Sequence, residues 1–117
     1  MAKAALSDSS PQNPDAEASL LGSLIIDSEA FIKIGDVVRA DDFYNDQHRL
    51  IFTAMSSLHD KRSPIDILTL SEKLKSSGQL DKIGGASYLT ELTNFVPTAA
   101  HLEQYAEIVA DNAIRPA

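Results

Sequence analysis

The sequence predicts an all-α fold, with a compact helical head of about four helices plus a connector, followed by a C-terminal antiparallel helical hairpin. Apolar residues recur three and four positions apart along most of the 117 residues, which is the period of an amphipathic helix. Capping residues and helix-ending glycines separate these segments. No segment shows the apolar–polar alternation of a half-buried strand, and no internal repeat is visible.

The first part of the head is predicted to contain a long helix and a short one. The first helix opens at residues 13–15, Asn-Pro-Asp, with a cap, a proline at the first helical position and an acid in the first turn. Gly22 within it indicates close packing of another element. Asp27 and Ser28 start a short second helix that ends at Gly35. The predicted buried residues are Ala18, Leu21, Leu24 and Ile25 in the first helix, and Phe31, Ile32 and Ile34 in the second.

The second part of the head is predicted to contain two capped helices. Asn45 can cap a long third helix that continues to about Asp60. Asp66 can cap a fourth, and Gly78 has the position that is favoured just past a helix end. Their predicted buried stripes are Ile51, Phe52, Met55 and Leu58, then Ile67, Leu70 and Leu74, with Leu80 and Ile83 in the connector.

Residues 86–114 read as two helices that are separated at Val96-Pro97, with Thr98 as the cap of the second. The apolar arc of the second helix spans roughly 180°, more than a single partner helix covers. Gly84 and Gly85 are predicted to form a hinge before this hairpin. We therefore predict an association element. The residues assigned to its oligomer interface are Tyr88, Leu92, Phe95, Leu102, Tyr105, Ile108 and Val109.

These observations divide the chain into four predicted segments. Residues 1–12 form a disordered N-terminal tail, and residues 13–83 form the helical head. Residues 84–114 form the hinge and the helical hairpin, and residues 115–117, Arg-Pro-Ala, resemble the start of a linker. No apolar run is long enough to span a membrane, and the N-terminus lacks the pattern of a signal peptide, so we expect a cytoplasmic location.

The charge of the chain argues against a nucleic-acid surface. The net charge is −7, and no lysine or arginine occurs between Lys82 and Arg115. Binding to phosphates requires clustered positive charge. The only local basic clusters are Lys61-Arg62 and the pair of Lys73 and Lys75, and we interpret them as solvated helix charges. DNA binding by this chain alone should be weak.

No catalytic, cofactor-binding or metal-binding residues are predicted. Asp42, Asp46 and His48 could be imagined as a metal site, but a turn and a helix cap with acids in the first turn explain them better. A phosphate cradle at the Gly84-Gly85 pair would lack the lysine that phosphate loops carry. Tyr88 and Tyr105 could stack on single-stranded bases, but without basic neighbours we favour packing.

Several short motifs occur in one register from about residue 12 to Arg115, and in this order they closely resemble the N-terminal domain of the bacterial DnaB-type replicative DNA helicase. The matching residues are Pro14, Ala16-Glu17, Leu20-Leu21-Gly22 and Asp27; Asp42-Phe43-Tyr44, His48 and Ile51-Phe52; Ile65-Asp66 and Thr69-Leu70; Gly78 and Leu80; Gly84-Gly85 and Tyr88-Leu89; and Pro97, Tyr105-Ala106 and Ile108-Val109.

The resemblance implies a non-catalytic assembly domain. Such helicases are ring hexamers that unwind the duplex with ATP, and their N-terminal domains form a collar of three dimers in which C-terminal hairpins pair between subunits. Primase docks on the collar through its helical C-terminal domain. ATP and Mg²⁺ would be expected only in a RecA-like motor domain, which follows a linker and is absent from this sequence. DNA would be contacted only through the full-length ring.

Two other classes of protein are weighed against this interpretation. A small helix-turn-helix DNA-binding regulator would need basic and amide side chains along a recognition helix, and the fourth helix offers little besides Lys73 and Lys75. A small metal-dependent hydrolase is supported even less by the residues present. The sequence therefore favours a helicase domain that assembles subunits and recruits primase.

Overall fold

The protein's structure, a computed structural model, describes residues 14–35, 37–95 and 102–112, and the regular structure in these ranges is all helical. The six α-helices are α1 (Pro14–Ile26), α2 (Phe31–Ile34), α3 (Asp46–Asp60), α4 (Ile67–Ser76), α5 (Ala86–Thr93) and α6 (Leu102–Asn112). Short 3₁₀ turns occupy Ser28–Ala30, Ala40–Asp42 and Asp81–Ile83. The all-α class is confirmed. The predicted tail, the break at Val96-Pro97, the cap Thr98 and the linker lie outside the described residues.

Helix α1 is the centre of the molecule. Every residue from Ala16 to Ile25 is buried, because α5 and α6 both pack against α1 and α3 also contacts it. A helix that is surrounded in this way must be apolar on all sides or satisfy its polar groups internally. The Ser23 hydroxyl does so by donating to the Ser19 carbonyl oxygen at 2.8 Å. The predicted buried face of Ala18, Leu21, Leu24 and Ile25 is confirmed and extends around the helix to Leu20.

Local capping chemistry fixes where α3 and α4 begin, as the sequence predicts. The Asn45 side-chain oxygen accepts from the backbone N–H groups of Gln47 and His48, at 2.8 and 3.3 Å. Asp66 and Thr69 cap each other reciprocally, since each side chain accepts from the other's backbone N–H at 2.8 and 2.9 Å. Each such cap stabilises a helix by about 1 kcal/mol. Both predicted caps are confirmed.

The predicted apolar stripes of α3 and α4 face the core. In α2, one of the three residues predicted to be buried is exposed. Ile51, Met55, Leu70, Leu74 and Ile83 have no exposed surface. Ile32, in contrast, is 71% exposed. Helix α2 is a single turn of four residues, so only Phe31 and Ile34, three positions apart, share its buried side.

Helix α6 lies against the rest of the chain. It packs on α1, α2 and the turn Ala40–Asp42, and this packing buries Ala106, Val109 and Ala110. The width of the apolar arc predicts that another molecule covers part of it. In the structure, the chain's own helices cover a large part of this arc, which leaves a narrower exposed strip for any partner.

Candidate assembly site and a buried polar network

Three polar side chains from three helices form a hydrogen-bonded chain in the core. Glu17 on α1 and His48 on α3 are only 2% and 1% exposed. Glu17 Oε1 lies 2.7 Å from His48 Nδ1, and His48 Nε2 lies 2.6 Å from the hydroxyl oxygen of Tyr88 on α5. Because a carboxylate only accepts, Nδ1–H donates to Glu17, and in the neutral ring Nε2 accepts from the Tyr88 hydroxyl. We call this set the Glu17–His48–Tyr88 network.

The Glu17 carboxylate also holds the start of α3. Its Oε2 accepts from the backbone N–H of Tyr44 at 2.6 Å, and its Oε1 accepts from the backbone N–H of Asn45 at 3.4 Å. Asn45 is the residue that caps α3. A buried carboxylate is tolerated only where donors replace its lost hydration. Glu17 therefore ties α1 to the first turn of α3, and through His48 to α5.

The order tyrosine, histidine, glutamate resembles a nucleophile with its base and orienting acid. Burial raises the pKa of the Tyr88 hydroxyl above its ordinary 10.0, and the carboxylates of Glu91 and Glu17 raise it further. A hydroxyl that is held protonated in this way is a poor nucleophile. The Tyr88 ring also stacks on His48, with ring centroids 5.9 Å apart. The network joins three helices and is a structural device.

Tyr88→Phe tests this network through its alkaline stability. Folding raises the pKa of Tyr88, so above pH 10 the folded state binds more protons than the unfolded state and stability falls as pH rises. We expect the wild type to lose more stability than Tyr88→Phe between about pH 9 and about pH 11. At neutral pH the variant should be about 1–2 kcal/mol less stable, because His48 Nε2 loses its donor.

Urea unfolding at a series of pH values measures both effects. Tyr44→Phe is the matched control, because Tyr44 is 47% exposed and only its backbone N–H contacts the network. The stability of Tyr44→Phe should change with pH in the same way as that of the wild type. If the wild type and Tyr88→Phe lost the same stability between about pH 9 and about pH 11, folding would not raise the pKa of Tyr88.

His48, Asp42 and Asp46, the residues weighed as a metal site, each contact other protein groups in the structure. Both ring nitrogens of His48 are engaged by Glu17 and Tyr88. The Asp42 carboxylate accepts from the backbone N–H of Arg39, and exposed Asp46 pairs with Arg49 at 3.2 Å. Within residues 14–35, 37–95 and 102–112, no group of three or more His, Cys, Asp or Glu side chains could hold a metal ion.

Sequence reasoning did not find the Glu17–His48–Tyr88 network, although a signal was present. The three residues lie 31 and 40 positions apart, so helical periodicity within one segment cannot connect them. All three belong to the motifs that carry the family resemblance. The motifs contain an acid, a histidine and a tyrosine that can hydrogen-bond to each other. This combination could have indicated that Glu17, His48 and Tyr88 lie in contact.

Two residues assigned to the oligomer interface belong to the core of the single chain. Leu92 is 0% exposed and Val109 is 1% exposed. Neither side chain offers surface to a second copy, so their assignment to a subunit contact is corrected. They attach α5 and α6 to the body of the protein, because each lies on the inward side of an amphipathic helix.

The other assigned residues differ in exposure, and their role between subunits stays a prediction. Phe95 is 42% exposed and Ile108 is 38% exposed, so both can meet a partner. Tyr88 is half-buried in the network, and half-buried Tyr105 packs against the core. Leu102 begins α6, and its side chain lies outside the described residues. Phe95 and Ile108 are therefore the assigned residues whose side chains are exposed among the described residues.

The two assigned hinge glycines have backbone conformations that favour glycine. Gly84 has a φ of +103° and Gly85 a φ of +79°. Their backbone N–H groups donate to the carbonyl oxygens of Asp81 and Leu80, at 3.2 and 2.9 Å. A Cβ at Gly84 would also lie 3.2 Å from the Cβ of Tyr88. Glycine is needed here for the turn into α5, and bending at this turn stays a prediction.

The described residues thus form a small helical body in which a buried polar network joins three helices, in a chain of net charge −7. The chain belongs to the family described as the DnaB-like helicase N terminal domain, which residues 9–111 match. This membership supports a domain of a replicative helicase and not the helix-turn-helix regulator.

Known replicative helicases are similar over most of this chain. The replicative DNA helicase DnaB of Haemophilus influenzae is 44% identical over 104 residues, which are 89% of this chain and 22% of that protein. The replicative DNA helicase DnaB of Geobacillus stearothermophilus is 40% identical over 104 residues, 89% of this chain and 23% of that protein. The chain therefore spans about a fifth of the length of these relatives.

Solved structures share the fold. The N-terminal domain of DnaB helicase from Mycobacterium tuberculosis superposes with a TM-score of 0.85 and 37% identity, covering 87% of this chain and 73% of that one. A DnaB-like replicative helicase, described together with its interactions with primase, superposes with a TM-score of 0.76 and 25% identity, covering 85% of this chain and 23% of that one. The fold is that of the DnaB N-terminal domain.

Proposed function

We propose that this chain is the N-terminal collar domain of a hexameric replicative DNA helicase, where it joins neighbouring subunits and recruits primase without catalysing a reaction. The observation that carries the proposal is the family membership, which covers residues 9–111. The similar helicase whose structure was described with primase supports the choice of partner. We propose that the partner's helical C-terminal domain makes the contact.

The charge distribution supports a role in protein contacts. The chain carries a net charge of −7, and it has no lysine or arginine between Lys82 and Arg115. DNA phosphates would be repelled by such a surface. We propose that the parent protein contacts DNA only through the complete ring, and that ATP and Mg²⁺ bind to a RecA-like motor domain of that parent, an ATP-dependent helicase of the bacterial cytoplasm. No helix among the described residues is long and apolar enough to cross a membrane.

Titration calorimetry with primase tests the recruitment. Primase from the same organism should bind the chain with a dissociation constant of roughly micromolar order, as transient contacts between proteins do. Primase that lacks its C-terminal domain is the control and should give no binding heat. Circular dichroism on the same sample shows whether the chain is folded. A folded chain that gives no heat with intact primase would refute the recruitment.

A gel shift with duplex DNA tests the alternative function, a helix-turn-helix DNA-binding regulator. At low salt, where phosphate contacts are strongest, the chain should not retard the duplex. A salt-sensitive shift at micromolar protein would favour a DNA-binding role instead.

A further inference from the structure

Helices α3 and α4 end in the same kind of turn, but with different residues in its left-handed position. After α4 this residue is Gly78, with a φ of +73°, and after α3 it is Arg62, with a φ of +58°. In both turns the N–H of the next residue donates to the carbonyl oxygen five positions earlier, at 2.8 and 2.9 Å. Glycine is usual in this position, because a side chain there is strained. An arginine that is kept despite this strain indicates a use for its side chain.

The loop that contains Arg62, residues 61–64, lies between two grooves. One groove is on the α2 side and contains Ile32, and the other is on the α4 side and contains Leu68. Residues 63 and 64 line both grooves, so the two grooves form one continuous surface. We call it the 61–64 surface, and define it by Ile32, Lys61, Arg62, Leu68 and Lys73.

The 61–64 surface presents two large apolar side chains to solvent. Ile32 is 71% exposed and Leu68 is 70% exposed, the highest values for large apolar side chains among the described residues. Single exposed apolar residues are common on protein surfaces, whereas apolar residues grouped on one surface are typical of contact sites. Because these two line neighbouring grooves, one partner molecule could remove both from water.

The charge of the 61–64 surface is opposite to that of the whole chain. Lys61, Arg62 and Lys73 outnumber the acids Glu29 and Glu72 in the linings of the two grooves. The chain as a whole carries a net charge of −7. None of the three basic side chains forms a hydrogen bond or an ion pair with another described residue. They are therefore available to the carboxylates of a partner.

We propose that the 61–64 surface binds an acidic segment of another protein, whose apolar side chains cover Ile32 and Leu68 while its carboxylates meet the three basic side chains. The linings of the grooves contain no described residue of α5 or α6, so this contact is separate from the residues assigned to the oligomer interface. Two copies that paired symmetrically through the 61–64 surface would bring like charges together, which favours a different, acidic partner.

Titration of the isotope-labelled chain with acidic peptides, followed by nuclear magnetic resonance, tests this contact. Two peptides of about 12 residues each carry two leucines among aspartates and glutamates, with the leucines either two or four positions apart, as one face of a strand or of a helix presents them. At about 50 mM salt, one of them should shift the amide signals of residues 29–32 and 58–76 with a dissociation constant of roughly 100 μM. Control peptides with lysine in place of each acid, or serine in place of each leucine, should cause no shifts.

Arg62→Gly separates binding from folding, because the turn itself favours glycine. The urea midpoint of unfolding should not fall, whereas the dissociation constant of the peptide should rise about threefold. Leu68→Ser changes an exposed side chain and should also raise this constant about threefold. Lys82→Ala is the matched control, because it also takes the net charge from −7 to −8, at an exposed position outside both grooves. It should bind the peptide as the wild type does.

Several results would overturn the contact. These are an absence of shifts with both leucine spacings at about 1 mM peptide, equal binding of the lysine peptide, or an Arg62→Gly chain that binds as tightly as the wild type. If Arg62→Gly instead weakens self-association in sedimentation equilibrium, the occupant is a second copy and the acidic partner is wrong. The proposal does not rest on the proposed function, which the primase titration tests separately.

Discussion

Glu17→Ala should lower the free energy of unfolding by about 3–5 kcal/mol, the largest effect expected for any polar residue described in the chain, because each buried donor left without an acceptor costs about 1–3 kcal/mol. The change removes the acceptor of His48 Nδ1–H and of the backbone N–H groups of Tyr44 and Asn45. Glu17 and His48 are only 2% and 1% exposed, so no solvent replaces the carboxylate at His48 Nδ1–H. The bonds from the Tyr44 and Asn45 N–H groups are part-buried. The total stability of a small domain is about 5–15 kcal/mol, so the variant should be close to unfolding at 37 °C.

Urea denaturation followed by circular dichroism measures this loss. Asp46→Ala is the matched control, because it removes an exposed carboxylate that pairs with Arg49. That variant should stay within about 0.5–1 kcal/mol of the wild type. A loss below about 1 kcal/mol for Glu17→Ala would show that the Glu17–His48–Tyr88 network does not hold α1, α3 and α5 together.

Leu92→Ala should lower the free energy of unfolding by about 2–5 kcal/mol. Leu92 is 0% exposed on α5, so the truncation leaves a cavity where α5 packs against α1. Stability measured by thermal unfolding should fall. Self-association at a concentration where the variant is still folded should not change, because the side chain offers no surface to a partner.

Phe95→Ala is the paired variant, with the opposite expectation. Phe95 is 42% exposed, so its truncation should change stability by less than about 1 kcal/mol. If Phe95 belongs to an oligomer interface, as the sequence predicts, sedimentation equilibrium should show weaker association. A Phe95→Ala variant that is as unstable as Leu92→Ala would place the side chain in the core instead.

Features with a local cause could be predicted from the sequence. The starts of α3 and α4 follow from Asn45 and Asp66, whose side chains bond to backbone groups two or three residues further on. The buried stripes of these helices follow from a period of 3.6 residues. Both depend only on neighbours along the chain, so the order of amino acids contains the necessary information.

Features that depend on where helices meet could not be predicted in the same way. Periodicity shows that Leu92 and Ile108 lie on the apolar sides of their helices, but not which of them the chain itself covers. Similarly, His48 invited comparison with nearby Asp42 and Asp46, whereas its partner Glu17 lies 31 positions earlier. The width of an apolar arc therefore indicated buried contacts and did not distinguish packing within a chain from packing between chains.

The central position of α1 has a consequence for the order of folding. Ser19 in α1 donates to the carbonyl oxygen of Phe95, at 3.5 Å, across 76 positions of sequence. During synthesis at about 5–20 residues per second, α1 emerges seconds before the helices that cover it, and its apolar sides stay open in the meantime. A chain cut at Gly84 would keep them open permanently, so residues 13–83 alone should aggregate and not form an independent folding unit.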